Sequence, residues 1–404
     1  MTLVPRSAGY VALLVALGSF GPLTMSIYTP VMPSVGTDLG ANPDSVKLTL
    51  TTYMLGFAVG QLFYGPLSDR YGRRPVLLAG LLFFTVATFA CSFAPSIAGL
   101  IGLRVLQGLG GASGSVIGRA LTRDAYKFHE MPLVMSWISL GQNIAPSLAP
   151  TLGGYLGEWG TWRATFWFVG AFASLLTVVV LIALRETNKF RSESLHLGNL
   201  LRGSREMLGD RYFLGNVLTL GFAFAINFGM VAGVPFILQG ALGFSPRQFG
   251  LIVLLSVAGF TAGTFVNNRL VGRVSPVSML RASGWFHIAA LTVMGALSLC
   301  SVVTWWAIIG PHMVLSFGTG MIVANANAGA VGQFPKLAGT ASSLAGLAQM
   351  GMGSLGTITV AVLTLVGSRY VAMPLVIGLM PFAVLTLLSA RLLRPRPRAP
   401  KLQS

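Results

Sequence analysis

Acidic side chains are scarce in this chain. Ten Asp and Glu residues occur among 404, and none lies beyond Asp210. Charged residues of both signs make up only 9%, against about 25% in a soluble globular protein. So little charge cannot cover a water-facing surface, which excludes a soluble globule. There are two cysteines, Cys91 and Cys300, each inside an apolar run and without metal-ligand spacing; they read as small buried hydrophobes. The chain also lacks a metal-ligand cluster, a Ser/His/Asp set and a nucleotide-binding loop with its lysine. The glycine-rich Gly108–Gly114 has no such lysine and sits within a span, where it serves packing. These absences argue against an enzyme and predict neither metal nor cofactor.

What is present is apolar sequence. Hydrophobic residues make up 54%, the mean hydropathy is +0.75, and there are 50 glycines, many inside apolar runs, as suits helices that pack closely in lipid. The runs do not alternate, which excludes a β-barrel. Twelve spans are predicted, at roughly 9–35, 46–66, 75–94, 98–121, 132–155, 161–185, 212–239, 247–268, 277–300, 304–329, 338–366 and 370–393. Each is near the ~20 residues a helix needs to cross a bilayer, and only helices satisfy their own backbone there. Arg6 followed by Gly9–Tyr28 has the look of a secretory signal. The run is too long and no small-residue pattern closes it, so a retained first span is expected.

The net charge is +17. The basic residues gather in short loops between spans, a pattern of membrane topology rather than of a nucleic-acid-binding face. One set of loops carries Arg70, Arg73, Arg74, Arg123, Lys127, Arg185–Arg211, Arg269, Arg273, Lys336 and the tail Arg391–Lys401. The other carries Lys47, Arg163, Arg247 and Arg369, partly offset by Asp38, Asp44 and Glu158. The richer set is expected in the cytoplasm together with both termini. Trp159, Trp162, Trp305 and Trp306 fall at the predicted outer boundaries, where an aromatic belt is expected.

Residues 186–211 are polar and longer than the other loops, and they divide the spans into two sets of six. The halves echo each other. LGANPDSV at 39–46 matches LGFSPRQF at 242–249; GLGGASGSVIGRA at 108–120 matches GTGMIVANANAGA at 318–330; GQNIAPSL at 141–148 matches AQMGMGSL at 348–355. Echoes in one order at a similar offset indicate parallel repeats. The expected fold is an all-α membrane protein of twelve transmembrane helices in two pseudo-symmetric bundles. The expected domains are a six-helix bundle over 1–185, a cytoplasmic linker over 186–211, a second bundle over 212–393 and a basic tail over 394–404. Two such repeats suggest alternating access to a site between them, near the membrane midplane.

Between the second and third spans the chain reads Gly65-Pro66-Leu67-Ser68-Asp69-Arg70-Tyr71-Gly72-Arg73-Arg74-Pro75. Four charges in a turn must sit in water or headgroups. Asp69 is expected to cap the next helix and accept from arginine, Gly65 and Gly72 to let helices approach a neighbour, and Asp124 to be a second partner for Arg70, Arg73 and Arg74. The segment resembles the loop 2–3 signature of the major facilitator superfamily. Leu103-Arg104-Val105-Leu106-Gln107-Gly108 resembles that family's fourth-helix signature. Ala145-Pro146-Ser147-Leu148-Ala149-Pro150-Thr151-Leu152-Gly153-Gly154 resembles its fifth-helix antiporter signature, with Ala145 and Ala149 where Gly is usual. Tyr28-Thr29-Pro30-Val31-Met32-Pro33, Trp162–Trp167 and Phe265–Leu270 are similar to the Bcr/CflA branch of drug exporters.

The resemblance implies proton-driven export of drugs or small metabolites across the bacterial inner membrane by a monomer in lipid. It also implies a conformational gate at the loop. Arg104, a costly charge inside a span, is expected to bind substrate or tune a proton site. Pro146 and Pro150 bend the fifth helix, and Gly153 and Gly154 favour close contact between the halves. Ser26, Tyr28, Gln61, Gln142, Asn143, Asn227, Asn325, Asn327 and Gln349 are expected to line a polar cavity, with Phe20, Phe57, Phe224 and Phe228 as apolar walls. One expectation of the family is unmet. Its Bcr/CflA members place an Asp in the first helix, two residues before the tyrosine, and here that residue is Ser26. The remaining candidate titratable groups are Asp38, His287 and His312. An uncoupled facilitator or exporter of a sugar or other metabolite is the alternative.

Overall fold

The structure, a computed structural model, describes residues 7–126, 130–188, 204–334, 338–365 and 370–393. Lys127, Lys336, Arg369, most of the linker, the basic tail and the side chain of Asn143 lie outside the described residues.

Twelve long helices carry the described chain, with no strand among them. In order they are α1 (Ala8–Tyr28), α2 (Pro43–Tyr71), α3 (Arg73–Ser92), α4 (Ile97–Ala125), α5 (Met131–Trp159), α6 (Arg163–Ala183), α7 (Arg211–Pro235), α8 (Pro246–Leu270), α9 (Pro276–Leu299), α10 (Trp305–Gln333), α11 (Ala338–Leu365) and α12 (Met373–Ser389). Among the described residues, nine helical stretches are long and apolar enough to cross a bilayer. Of the other three, α2 and α5 are 29 residues long but richer in polar residues and proline, and α12 is 17 residues long.

The sequence echoes fall on corresponding elements. α1 passes through a 3₁₀ turn (Thr29–Val31) into a short helix (Met32–Asp38), and α7 passes into a π turn (Phe236–Ala241). α2 and α8 then start alike, with an Asn42 or Ser245 side chain accepting from the third helical backbone N–H and a proline at the first position, where its missing N–H is not needed. The second echo lies on α4 and α10, and the third on α5 and α11.

Glycine allows the helices to touch. A Cβ at Gly108 would stand 2.1 Å from the Tyr53 carbonyl, and one at Gly56 would stand 2.2 Å from that of Val105. α2 and α4 therefore meet backbone to backbone. The two halves meet along α2–α11 and α5–α8.

One expectation on helix ends changes. The second span was bounded near 66, but α2 continues to Tyr71 and α3 begins at Arg73, so only Gly72 turns. Hydropathy marks where lipid ends, whereas backbone hydrogen bonding continues into water. Gly72 takes φ 103° and ψ 152°, a conformation essentially confined to glycine.

Candidate functional site

Among the described residues, the charged turn is held by its own half and the start of the linker. Arg73 extends from the first residue of α3. Its Nε donates to Asp124 at 3.0 Å, and its terminal nitrogen donates to Asp69 and, at 2.8 Å, to Ser68 Oγ. Asp124 is thus a partner, as the sequence suggests. Arg70 instead lies over the Tyr71 ring at 5.2 Å. Asp69 does not cap α3. That role belongs to Glu186, whose oxygens accept from the backbone N–H groups of Arg73 (2.9 Å) and Arg74 (3.2 Å). A carboxylate at a helix N-terminus meets free donors and a favourable dipole. Asn188 donates to the carbonyls of Ser68 and Asp69, Thr187 donates to Asp124, and Arg74 donates to the Leu181 carbonyl. The first residues after α6 therefore clamp the turn and the end of α4. A polar linker start gave no hint of this beyond its single glutamate. Gly65 makes no close approach here; a Cβ there would have its nearest neighbour, Val116, at 3.9 Å.

The end of the molecule away from this turn is sealed between the halves. Thr51 and Thr357 share a hydroxyl hydrogen bond of 2.6 Å, Gln239 donates to the Pro30 carbonyl at 2.8 Å, and Thr151 donates to the Gly250 carbonyl at 3.0 Å. Lys47 donates to Thr364 at 2.6 Å. Arg247 lies 4.7 Å over the Tyr155 ring. In α5, Gly154 abuts the Pro246 carbonyl of α8, while Gly153 abuts the Ile27 carbonyl of α1. Gly154 thus serves the half–half contact and Gly153 the packing within one half. Ala149 and Pro150 are buried, and Ala145 and Pro146 are half-buried. Toward the basic end, Ala324 and Ala328 of α10 are exposed and residues 346–352 of α11 are half-exposed, with Gln61 of α2 against Gly346.

Arg104 is shielded from solvent. It is 0% exposed, enclosed within the first half. Its guanidinium lies 4.5 Å over Tyr53, 4.6 Å over Tyr28 and 5.7 Å over Phe166. It donates to Gln107 at 2.6 Å and to the Thr49 carbonyl at 3.3 Å, and Gln107 donates on to Thr88. The Tyr28 hydroxyl shares a hydrogen bond with Thr49 at 2.9 Å. A caged cation needs no carboxylate nearby, which suits a helix with Ser26, half-buried, at the expected acid position.

The other candidates separate. Gln61 lies at the α2–α11 contact beside Gly346, and Gln142 donates to the Gly18 carbonyl at 3.2 Å. Asn227, Asn327 and Gln349 are half-buried, and Asn327 donates back to the Val323 carbonyl at 2.9 Å. Asn227 lies between Phe224 and Phe228, whose rings are 5.7 Å apart. Phe20 and Phe57 are buried in the first half's core, so they form no open wall. Asn325 donates to Asn267 at 2.5 Å inside the second half.

His287 is fully buried, with Nε2 3.1 Å from both the Leu315 carbonyl and Thr319 Oγ1. His312 Nδ1 is 3.0 Å from Ser256 Oγ. Both are contacts between helices of one half. Asp38 is paired with Arg163 and Trp162 beyond α1, at the sealed end. Arg119 was missed by the sequence reading. It is half-buried on α4 and has no hydrogen-bond or ion-pair partner among the described residues. Neighbouring Ser115 and Gly118 face α1, and Gly110 and Ser113 face α3. The helical spacing turns Arg119 away from α3, between α1 and α2.

This arrangement is that of a transporter, not of an enzyme. The chain belongs to the major facilitator superfamily, whose model matches residues 14–357, and it is a multi-pass membrane protein of the major facilitator fold. It is 31% identical over 362 residues to multidrug resistance protein D of Escherichia coli, covering 88% of this chain and 89% of that one. It is 30% identical to a bicyclomycin resistance protein homolog of Haemophilus influenzae (84% and 85% covered) and 31% identical to a chloramphenicol resistance protein of Pseudomonas aeruginosa (94% and 89% covered). Among solved structures, an inward-facing, unoccupied bacterial homolog of the human lysosomal transporter Spinster superposes with a TM-score of 0.71 at 15% identity, covering 96% of this chain and 97% of that one.

Proposed function

We propose that this protein exports small amphipathic drugs or metabolites across the bacterial inner membrane by alternating access, driven by proton entry. In this reading the basic end with the charged turn is cytoplasmic, together with both termini. The two bundles, 1–185 and 212–393, rock about the α2–α11 and α5–α8 contacts. The conformation described is then inward-facing. The observation that carries the reading is the asymmetry of the polar contacts among the described residues: they cross the halves at the sealed end and stay within the first half and the start of the linker at the charged turn. Gly65, Asp69, Gly72, Arg73 and Asp124, held by Glu186, would form the gate that meets the second half when the inner side closes. Relatives that bear the names of multidrug, bicyclomycin and chloramphenicol resistance proteins support drug export. Arg119, a cation between α1 and α2 with no ion-pair partner among the described residues, favours neutral or anionic substrates.

The uncoupled alternative has its own support. Each described acidic residue lies near a helix end, in a loop or in the linker, and none is at mid-span. Everted vesicles loaded with a pH-sensitive dye and offered a substrate panel test both readings. Proton-coupled export predicts dye dequenching on substrate addition, and slower uptake when the pH gradient is collapsed at fixed substrate gradient. Uptake unchanged by that collapse would establish the uncoupled transporter instead.

A further inference from the structure

A charge pair lies within the seal at the end away from the turn. Asp44 and Lys47 stand three residues apart in the first two turns of α2, so both project toward one side of that helix. The Lys47 side chain is only 2% exposed and that of Asp44 is 14% exposed. Lys47 Nζ donates to Asp44 at 3.1 Å and to Thr364 Oγ1, on α11 of the other half, at 2.6 Å. The Thr364 hydroxyl in turn donates to Asp44. One hydroxyl thus accepts from the cation and donates to the anion, closing a polar circuit across the halves. Nζ also lies 5.2 Å over the Phe236 ring. A cavity of about 270 Å³ adjoins the pair, with Pro43, Val360, Val371, Pro374 and Leu375 among its walls and, among the described residues, no further charged side chain lining it.

We propose that Asp44, Lys47 and Thr364 form the outer latch of the transport cycle, and that Asp44 is needed there because it neutralises a buried lysine. A buried ion pair is worth little against an apolar replacement, but removal of one partner strands the other charge. With Asp44 gone, the closed outer end holds an unmatched ammonium, which regains water when the halves part. With both charges gone, no ammonium is stranded and the contact stays shut. This deepens the alternating-access reading and assigns its outer gate.

The test uses the full chain with Cys91 and Cys300 replaced and a single reporter, Met54→Cys. Met54 is 0% exposed and packs against Gly353 of α11. A membrane-impermeant maleimide is applied from outside. Asp44→Asn should label about tenfold faster than the parent or more, while the double variant Asp44→Asn/Lys47→Met labels near the parental rate. Thr364→Val, which leaves the charges paired, should label several-fold faster by loss of the bridge. Parental labelling of Asp44→Asn overturns the latch, and a double variant as fast as Asp44→Asn overturns the charge argument. If Asp44→Asn does not assemble, assembly of the double variant supports charge mismatch as the cause; if neither assembles, the Thr364→Val rate decides. Labelling needs no substrate, so failure of the export reading leaves this result separately legible.

Discussion

At residue scale, backbone and burial decide what a side chain can do. Gly72 holds φ 103° and ψ 152° between two helices, where any Cβ is strained. Gly72→Ala should lower stability by about 1–3 kcal/mol, read as an earlier thermal unfolding transition in detergent. Arg104 shows the other control. Its signature motif was legible, and so was the cost of its charge, but not its direction. Three aromatic faces and Gln107 hold it inside the first half. Lysine carries the charge but not the flat, stacking guanidinium. Arg104→Lys should therefore lose thermal stability, whereas a purely substrate-binding arginine would leave the unfolding transition in place and change only flux. The clamp on the turn was also invisible. Glu186 and Asn188 are over 110 residues from their backbone partners, and nothing local marks Glu186 over Asp69 as the cap.

At element scale, the helices were the most legible feature, because each satisfies its backbone within one segment and lipid selects for that. Their contacts follow from small residues, whose abundance the sequence displays without naming the partners. Gly108 faces α2 so closely that the Ala variant must move the Tyr53 backbone. Gly108→Ala is expected to destabilise by about 1–3 kcal/mol, as overpacking does, and to lower the yield of assembled protein. Gly102, on the same helix with no atom within 4 Å of a built Cβ, is the control and should tolerate alanine. Pro146 and Pro150 lie inside α5, which runs from Met131 to Trp159, and the backbone approach at Gly154 joins it to α8.

At the scale of the molecule, polar contacts join the two halves at the end away from the charged turn. The Thr51 and Thr357 hydroxyls meet at 2.6 Å across the α2–α11 contact. Thr51→Cys/Thr357→Cys, in a background free of Cys91 and Cys300, should cross-link on oxidation, abolish transport and recover it on reduction. Transport that persists through complete cross-linking would show that this end need not open.

The amino-acid sequence alone determined the solvent of this protein, its twelve spans, its repeat and its family, because hydropathy, charge placement and motif spacing are local properties. The tertiary structure decided which charges are matched. Asp44 and Lys47 are each more than 310 residues from Thr364, and Gly154 and Pro246 are separated by α6, the linker and α7. Their meeting depends on how two bundles pack, a free-energy balance that no single segment carries.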